Sequence, residues 1–192
     1  MSKGRLEAFS DGVLAIIITI MVLELKVPHG ESLADLASLL PVFLSYVLSF
    51  VYIGIYWNNH HHMLHAASRV NGGILWANQF LLFWLSLVPF VTAWMGENHF
   101  AATPVALYGV VLLGAAISYF ILARGLASHH GPESKLARAL GADFKGKISI
   151  VIYITAIVVA PFAPLGACAL YALVAAIWLV PDRRIERVLN DE

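Results

Sequence analysis

Two short stretches concentrate the groups that could do chemistry. Arg5, Glu7, Ser10 and Asp11 fall within R5-L-E-A-F-S-D11, and four histidines close Y56-W-N-N-H-H-H-M-L-H65. Carboxylate and imidazole together serve proton transfer, metal ligation or hydrogen bonding between elements. Three consecutive histidines suggest a metal, but helical neighbours lie about 100° apart and cannot all face one ion. His61 and His65, four apart, do share a face. The usual helical metal motif adds a carboxylate to that face, and none stands there. No metal is therefore expected, and hydrogen bonds to neighbouring helices are the favoured role. Catalysis needs a nucleophile or a metal with a positioned base. No such set falls on one face, so neither an enzyme nor a cofactor is expected, although partners on separate helices stay open. A third polar point, Asn78-Gln79, interrupts I-L-W-A-N-Q-F-L-L-F-W. An amide in an apolar helix usually binds helix to helix, at roughly 0.6–2 kcal/mol.

The elements that must position these groups are membrane spans. Of 192 residues 60% are hydrophobic and 12% charged, against about 25% charged in a soluble domain; mean hydropathy is +0.79. Disorder is excluded and a water-soluble enzyme nearly so. The single cysteine, Cys168, excludes an intramolecular disulfide, and 12 basic against 12 acidic residues give no sign of a nucleic-acid partner. A helix crosses the hydrocarbon core with about 20 apolar residues. Six candidates meet this: 4–26, 41–60, 74–95, 105–126 and two halves of the apolar run 148–180. Pro161, Pro164 and Gly166 punctuate that run as a turn between antiparallel helices, with the fifth helix starting before Lys147 and the sixth ending near Pro181. The fold class is thus an all-α integral membrane protein, one six-helix domain over 1–192, in contact with the bilayer. A signal peptide is the rival for the first span, but Glu7 and Asp11 do not suit its charged region and no small-x-small cleavage site follows.

Six spans put both termini on one side. Lys3, Arg5, Arg69, Arg124, Lys135, Arg138, Lys145, Lys147, Arg183, Arg184 and Arg187 then share that side, and only Lys26 lies opposite. This bias makes the termini cytoplasmic in a multi-pass protein of the cell membrane. Glu24, Glu31, Asp35 and Glu97 form an acidic outer rim, which mildly favours cations. SKLARAL (134–140) reads equally as a short interfacial helix or as a solvated loop.

Ionisable groups at membrane depth are costly and mark function. Asp11, His60 and Asn78 lie at similar depth and could meet, pinning the first three helices together. Asp11 must find donors in the bundle or reach water, and its loss is expected to leave partners on the second and third helices unsatisfied. Ser10 and Asp11 point about 120–140° away from Ile16, in opposite senses. Ile16, Ile20 and Leu23 follow i, i+4, i+7 on one face, with Thr19 beside them. Such a stripe is packing or lipid contact, or an apolar ring that gates a pore by dewetting; periodicity does not choose.

The segment R5-x-x-x-F9-S10-D11 resembles the signature of the transmembrane protein 175 family, the lysosomal potassium channel and its bacterial relatives. The likeness continues through E24-L-K-V-P28, W57-x-x-H60-H61, L75-W-A-N78 and L87-V-P-F-V-T92, in family order over about the first half of the chain. The resemblance implies a homotetramer in which the first helix of each six-helix subunit lines a central pore. It implies a potassium-permeable channel, passing sodium less well, without a TVGYG filter. The family's apolar constriction falls on Ile16, Ile20 and Leu23, and a hydroxyl implicated in potassium preference on Thr19. A hydrogen-bond network behind the pore helix would use Arg5, Ser10, Asp11, His60 or His61, and Asn78, with Phe9 and Trp57 completing the signature. The rivals are a secondary transporter, which usually shows repeats and broken helices around a polar midplane site, and a non-conducting structural membrane protein.

Overall fold

The computed structural model describes residues 2–131, 134, 137 and 143–179. Most of SKLARAL lies outside them, as do Lys135, Arg138, Arg183, Arg184, Arg187 and the expected end near Pro181. The described residues form eight helices, numbered here in chain order: α1 (Lys3–Leu23), α2 (Leu33–Ala37), α3 (Leu40–His65), α4 (Gly72–Ser86), α5 (Val88–Glu97), α6 (Ala102–His130), α7 (Phe144–Val159) and α8 (Pro164–Leu179). Four stretches are long and apolar enough to cross a membrane: α1, α3, α4 with α5, and α6, of 21, 26, 26 and 29 residues. The chain is an all-α, multi-pass membrane protein. α7 and α8 are apolar but have 16 residues each, about 24 Å of helix.

Local chemistry sets the boundaries. The third span bends where α4 meets α5, because Pro89 has no N–H and crowds the carbonyl four residues back. There Leu87 N donates to Trp84 O at 3.2 Å, closing a tighter turn. Asn71 caps α4 by accepting from Ile74 N at 2.9 Å. Ser32 and Asp35 form a reciprocal capping box at α2, a helix that no apolar run announces. α7 does start ahead of Lys147, and Pro164 opens α8. Pro161 sits in the turn between them, whereas Gly166 lies inside α8 and takes no part in the turn.

α6 is the hub, packing on α4, α5, α7 and α8, while α3 packs on α1, α5 and α8. Small residues permit the closest approaches. A Cβ at Gly96 would meet Val42 Cα of α3 at 2.7 Å, and one at Gly114 would enter the Trp84 ring of α4. Without a water-driven force between helices, hydroxyls add directional contacts. Tyr108 donates to Ser49 Oγ at 2.9 Å, Ser49 to Thr92 Oγ1 at 2.6 Å, and Tyr52 to Tyr171 O at 2.6 Å.

Candidate functional site: one face of the first helix

α1 is attached on one side only, against α3, α4 and α5. Leu6, Ser10, Leu14, Ile17 and Met21 recur every three or four residues and form its buried face. Phe9, Ile16, Ile20 and Leu23 are exposed, Ile16 by 59% and Leu23 by 80%. Thr19 lies on this outer face and donates its hydroxyl to Ile16 O at 2.9 Å, which leaves its oxygen lone pairs facing outward. The apolar stripe is therefore absent from the subunit core. An open groove of about 600 Å³ runs beside it toward α5, lined by Ile16, Ile20, Pro89 and Phe90, with Glu24 and Glu97 also on its wall.

Behind α1 lies a buried relay of hydrogen bonds across three helices. His60 Nε2–H donates to Asn78 Oδ1 at 2.7 Å, Asn78 Nδ2 to Ser10 Oγ at 3.0 Å, and Ser10 to Leu6 O at 2.9 Å. Ser10 and Asn78 are fully buried and His60 nearly so. Each donor meets one acceptor, which suits a low-dielectric interior. Asp11 is outside this relay. It is exposed and accepts from Trp57 Nε1 at 3.0 Å, on the α3 side of α1. The expected meeting of Asp11 with His60 and Asn78 is thus replaced by Ser10 with His60 and Asn78. A 100° step between adjacent residues turns Ser10 inward and Asp11 to the rim.

The remaining candidates separate. His61 is exposed, its ring stacked between Trp57 and His65 at centroid distances of 6.1 Å. The His61 and His65 rings present faces to each other, with 18° between planes. Arg5 is exposed and its guanidinium makes no hydrogen bond or ion pair among the described residues. Phe9 is half exposed and lines a second groove with Trp76 and Gln79. A residue that the motif reading passed over, Lys3, ties down the start of α1. Its Nζ donates to Ala67 O at 3.0 Å and His65 O at 3.5 Å and lies 3.6 Å from Glu7. The only advance signal was a lysine one turn ahead of a glutamate. At the other end Lys26 Nζ lies 2.5 Å from Glu97. That hydrogen bond, with the adjacent negative charge, raises the lysine above its usual range.

The comparisons with known proteins bear on this arrangement. A family model described as endosomal/lysosomal potassium channel TMEM175 matches residues 5–89, from Arg5 to Pro89. A potassium channel of a Chryseobacterium species is 57% identical over 191 residues, covering 100% of both chains. The chain belongs to the TMEM175 family. A crystal structure of a lysosomal potassium-selective channel TMEM175 homolog from Chamaesiphon minutus superposes with a TM-score of 0.81 at 27% identity, over 94% of this chain and 97% of that one. The human endosomal/lysosomal proton channel TMEM175 is 39% identical over 87 residues, which cover 38% of this chain and 17% of the human protein. The family match over residues 5–89 includes α1 and the helices that carry the relay, α3 and α4.

Proposed function

We propose that this chain conducts potassium ions passively across the cell membrane, with sodium passing less well, through a pore lined by α1 in a homotetramer. It is a potassium channel of the TMEM175 family, and the full-length likeness to the Chryseobacterium potassium channel supports this. Six spans per subunit, a single domain over 1–192 and cytoplasmic termini complete the arrangement. α7 and α8 are the short fifth and sixth spans.

One observation carries the site assignment: α1 turns its polar relay residues into the subunit and leaves Ile16, Thr19, Ile20 and Leu23 outside it. Four such helices around an axis set rings of Ile and Leu in a water-filled path. A narrow apolar ring excludes hydrated ions by dewetting, and splaying of α1 admits them. Thr19 hydroxyls stand in the same path as candidates for ion preference. Arg5, Phe9, Ser10, Asp11, Trp57, His60, His61 and Asn78 serve orientation of the helix rather than contact with the ion. The relay of Ser10, Asn78 and His60 fixes its rotation and the Asp11–Trp57 bond fixes its rim.

Replacing Ile16 with asparagine places four amides around the axis and removes the dewetting barrier. Basal potassium flux in liposomes, normalised to tetramer counted by native mass spectrometry, should rise. Val22→Asn is the control, since Val22 is also exposed but points about 120° away. Equal fluxes at both positions would reject Ile16 as the constriction, and conducting monomers would reject the tetramer. Coupled, saturable exchange in place of passive flux would favour the transporter reading.

A further inference from the structure

The segment 66–71 between α3 and α4 is gripped from two sides. On one side Lys3 of α1 donates to Ala67 O and His65 O. On the other, the last two residues of α6 receive hydrogen bonds from the same segment. His130 Nε2 accepts from Ser68 N at 3.0 Å and Arg69 N at 3.2 Å. His129 Nδ1 accepts from Asn71 Nδ2 at 3.2 Å. The hydrogen positions follow from the partners. His130 Nδ1 faces Leu126 O at 2.8 Å and must carry a proton, so Nε2 is left as the acceptor. Asn71 uses Oδ1 to cap α4, which turns its NH₂ toward His129.

We propose that Lys3, His129 and His130 clasp the 66–71 segment so that the end of α6 holds the inner end of the pore helix, with Lys3 as the positioning residue. This rests on the reading of α1 as pore helix and of this face as cytoplasmic. Lys3 is the one side chain of α1 with a hydrogen bond to the segment, so its loss frees the inner end of α1 without touching the relay around Ser10. The clasp also has a protonation requirement. Both histidines act as acceptors, and an imidazolium has no acceptor nitrogen. Protonating either imidazole therefore takes away its acceptor nitrogen and opens the grip. The titratable and charged groups on the surrounding elements are Lys3 and Glu7 on α1, His62 and His65 on α3, Arg69 in the segment, and Arg124 on α6. Glu7 is held by Lys3.

The test pairs two readouts on the full chain in liposomes: hydrogen exchange of amides 66–71 and potassium flux, each at internal pH 8 and 5.5. In the parent protein, acid should speed exchange and raise flux. Lys3→Met at pH 8 should raise flux by about tenfold, the shift expected from losing one charge-assisted hydrogen bond, and should flatten the pH profile of flux. Lys3→Arg should restore both. His129→Gln with His130→Gln should remove the acid response of exchange, since an amide does not titrate. Unchanged exchange on acidification, or a Lys3→Met flux profile identical to the parent's, overturns the clasp. The flux of Ile16→Asn, measured alongside, shows separately whether α1 lines the pore at all.

Discussion

Ser10 and Asp11 are adjacent and chemically alike as hydrogen-bonding groups, yet they carry different loads. Ser10 is fully buried and closes the relay from His60 through Asn78, while Asp11 meets an exposed indole. A buried donor left without a partner costs roughly 1–3 kcal/mol, whereas an exposed donor such as the Trp57 indole takes water in place of the lost acceptor. Asn78→Leu strands His60 Nε2–H and Ser10 at once, so it should lower the melting temperature in detergent more than Ser10→Ala, and both more than Asp11→Ala. Similar losses from Asn78→Leu and Asp11→Ala would mean that the relay does not hold the bundle. This much was half legible beforehand. An amide, an imidazole and a carboxylate at matching depth announced a polar junction, but helical phase alone did not say which of two neighbours turned inward. Lys3 and the pair His129 and His130 stayed hidden for a different reason. Lys3 and His130 bond to the backbone of a loop some sixty residues away in sequence, and His129 to the Asn71 side chain at its end; no local side-chain pattern reports such partners.

At the scale of elements, apolar run length located the four helical stretches long enough to cross a membrane, because the requirement for about 20 apolar residues is imposed by the bilayer rather than by the rest of the chain. The bend between α4 and α5 is written in Pro89, but its place depends on which residues are helical before it. α2 is signalled by Ser32-x-x-Asp35 alone, a capping pattern inside a polar loop. The closest helix contacts give a sharp ranking. At Gly96 a methyl would meet the Val42 backbone, and at Gly109 it would meet the Tyr171 phenol and Ile157; at Gly54 it meets nothing within 4 Å. Backbone cannot yield as a side-chain end can, and overpacking costs about 1–3 kcal/mol. Thermal unfolding should therefore show Gly96→Ala as the most damaging, Gly109→Ala next, and Gly54→Ala neutral or slightly stabilising through helix propensity. A harmful Gly54→Ala would reveal a neighbour that the isolated subunit lacks.

For the whole molecule, charge asymmetry is the property of the sequence that bears on orientation, since it proposes an order of the loops across the bilayer without any knowledge of packing. It predicts that a cysteine at position 128 is labelled from the inside and one at position 31 from the outside, in a Cys168→Ala background with an impermeant maleimide. Labelling from the same side would remove the odd number of spans between them. The proposed oligomeric state rests on family resemblance alone, because nothing in a single chain's periodicity distinguishes a face turned to lipid from one turned to a sister subunit. The one-sided attachment of α1 has a consequence for how such a protein can change over generations. Leu6, Ser10, Leu14, Ile17 and Met21 answer to the subunit's folding, whereas Ile16, Thr19, Ile20 and Leu23 answer to whatever lies beyond it. Alternate positions on one helix are thus under two separate selective regimes. If the second set lines the pore as proposed, conduction can drift or be bred toward another ion there while the first keeps the fold intact, so that novelty in the pore need not be purchased with stability.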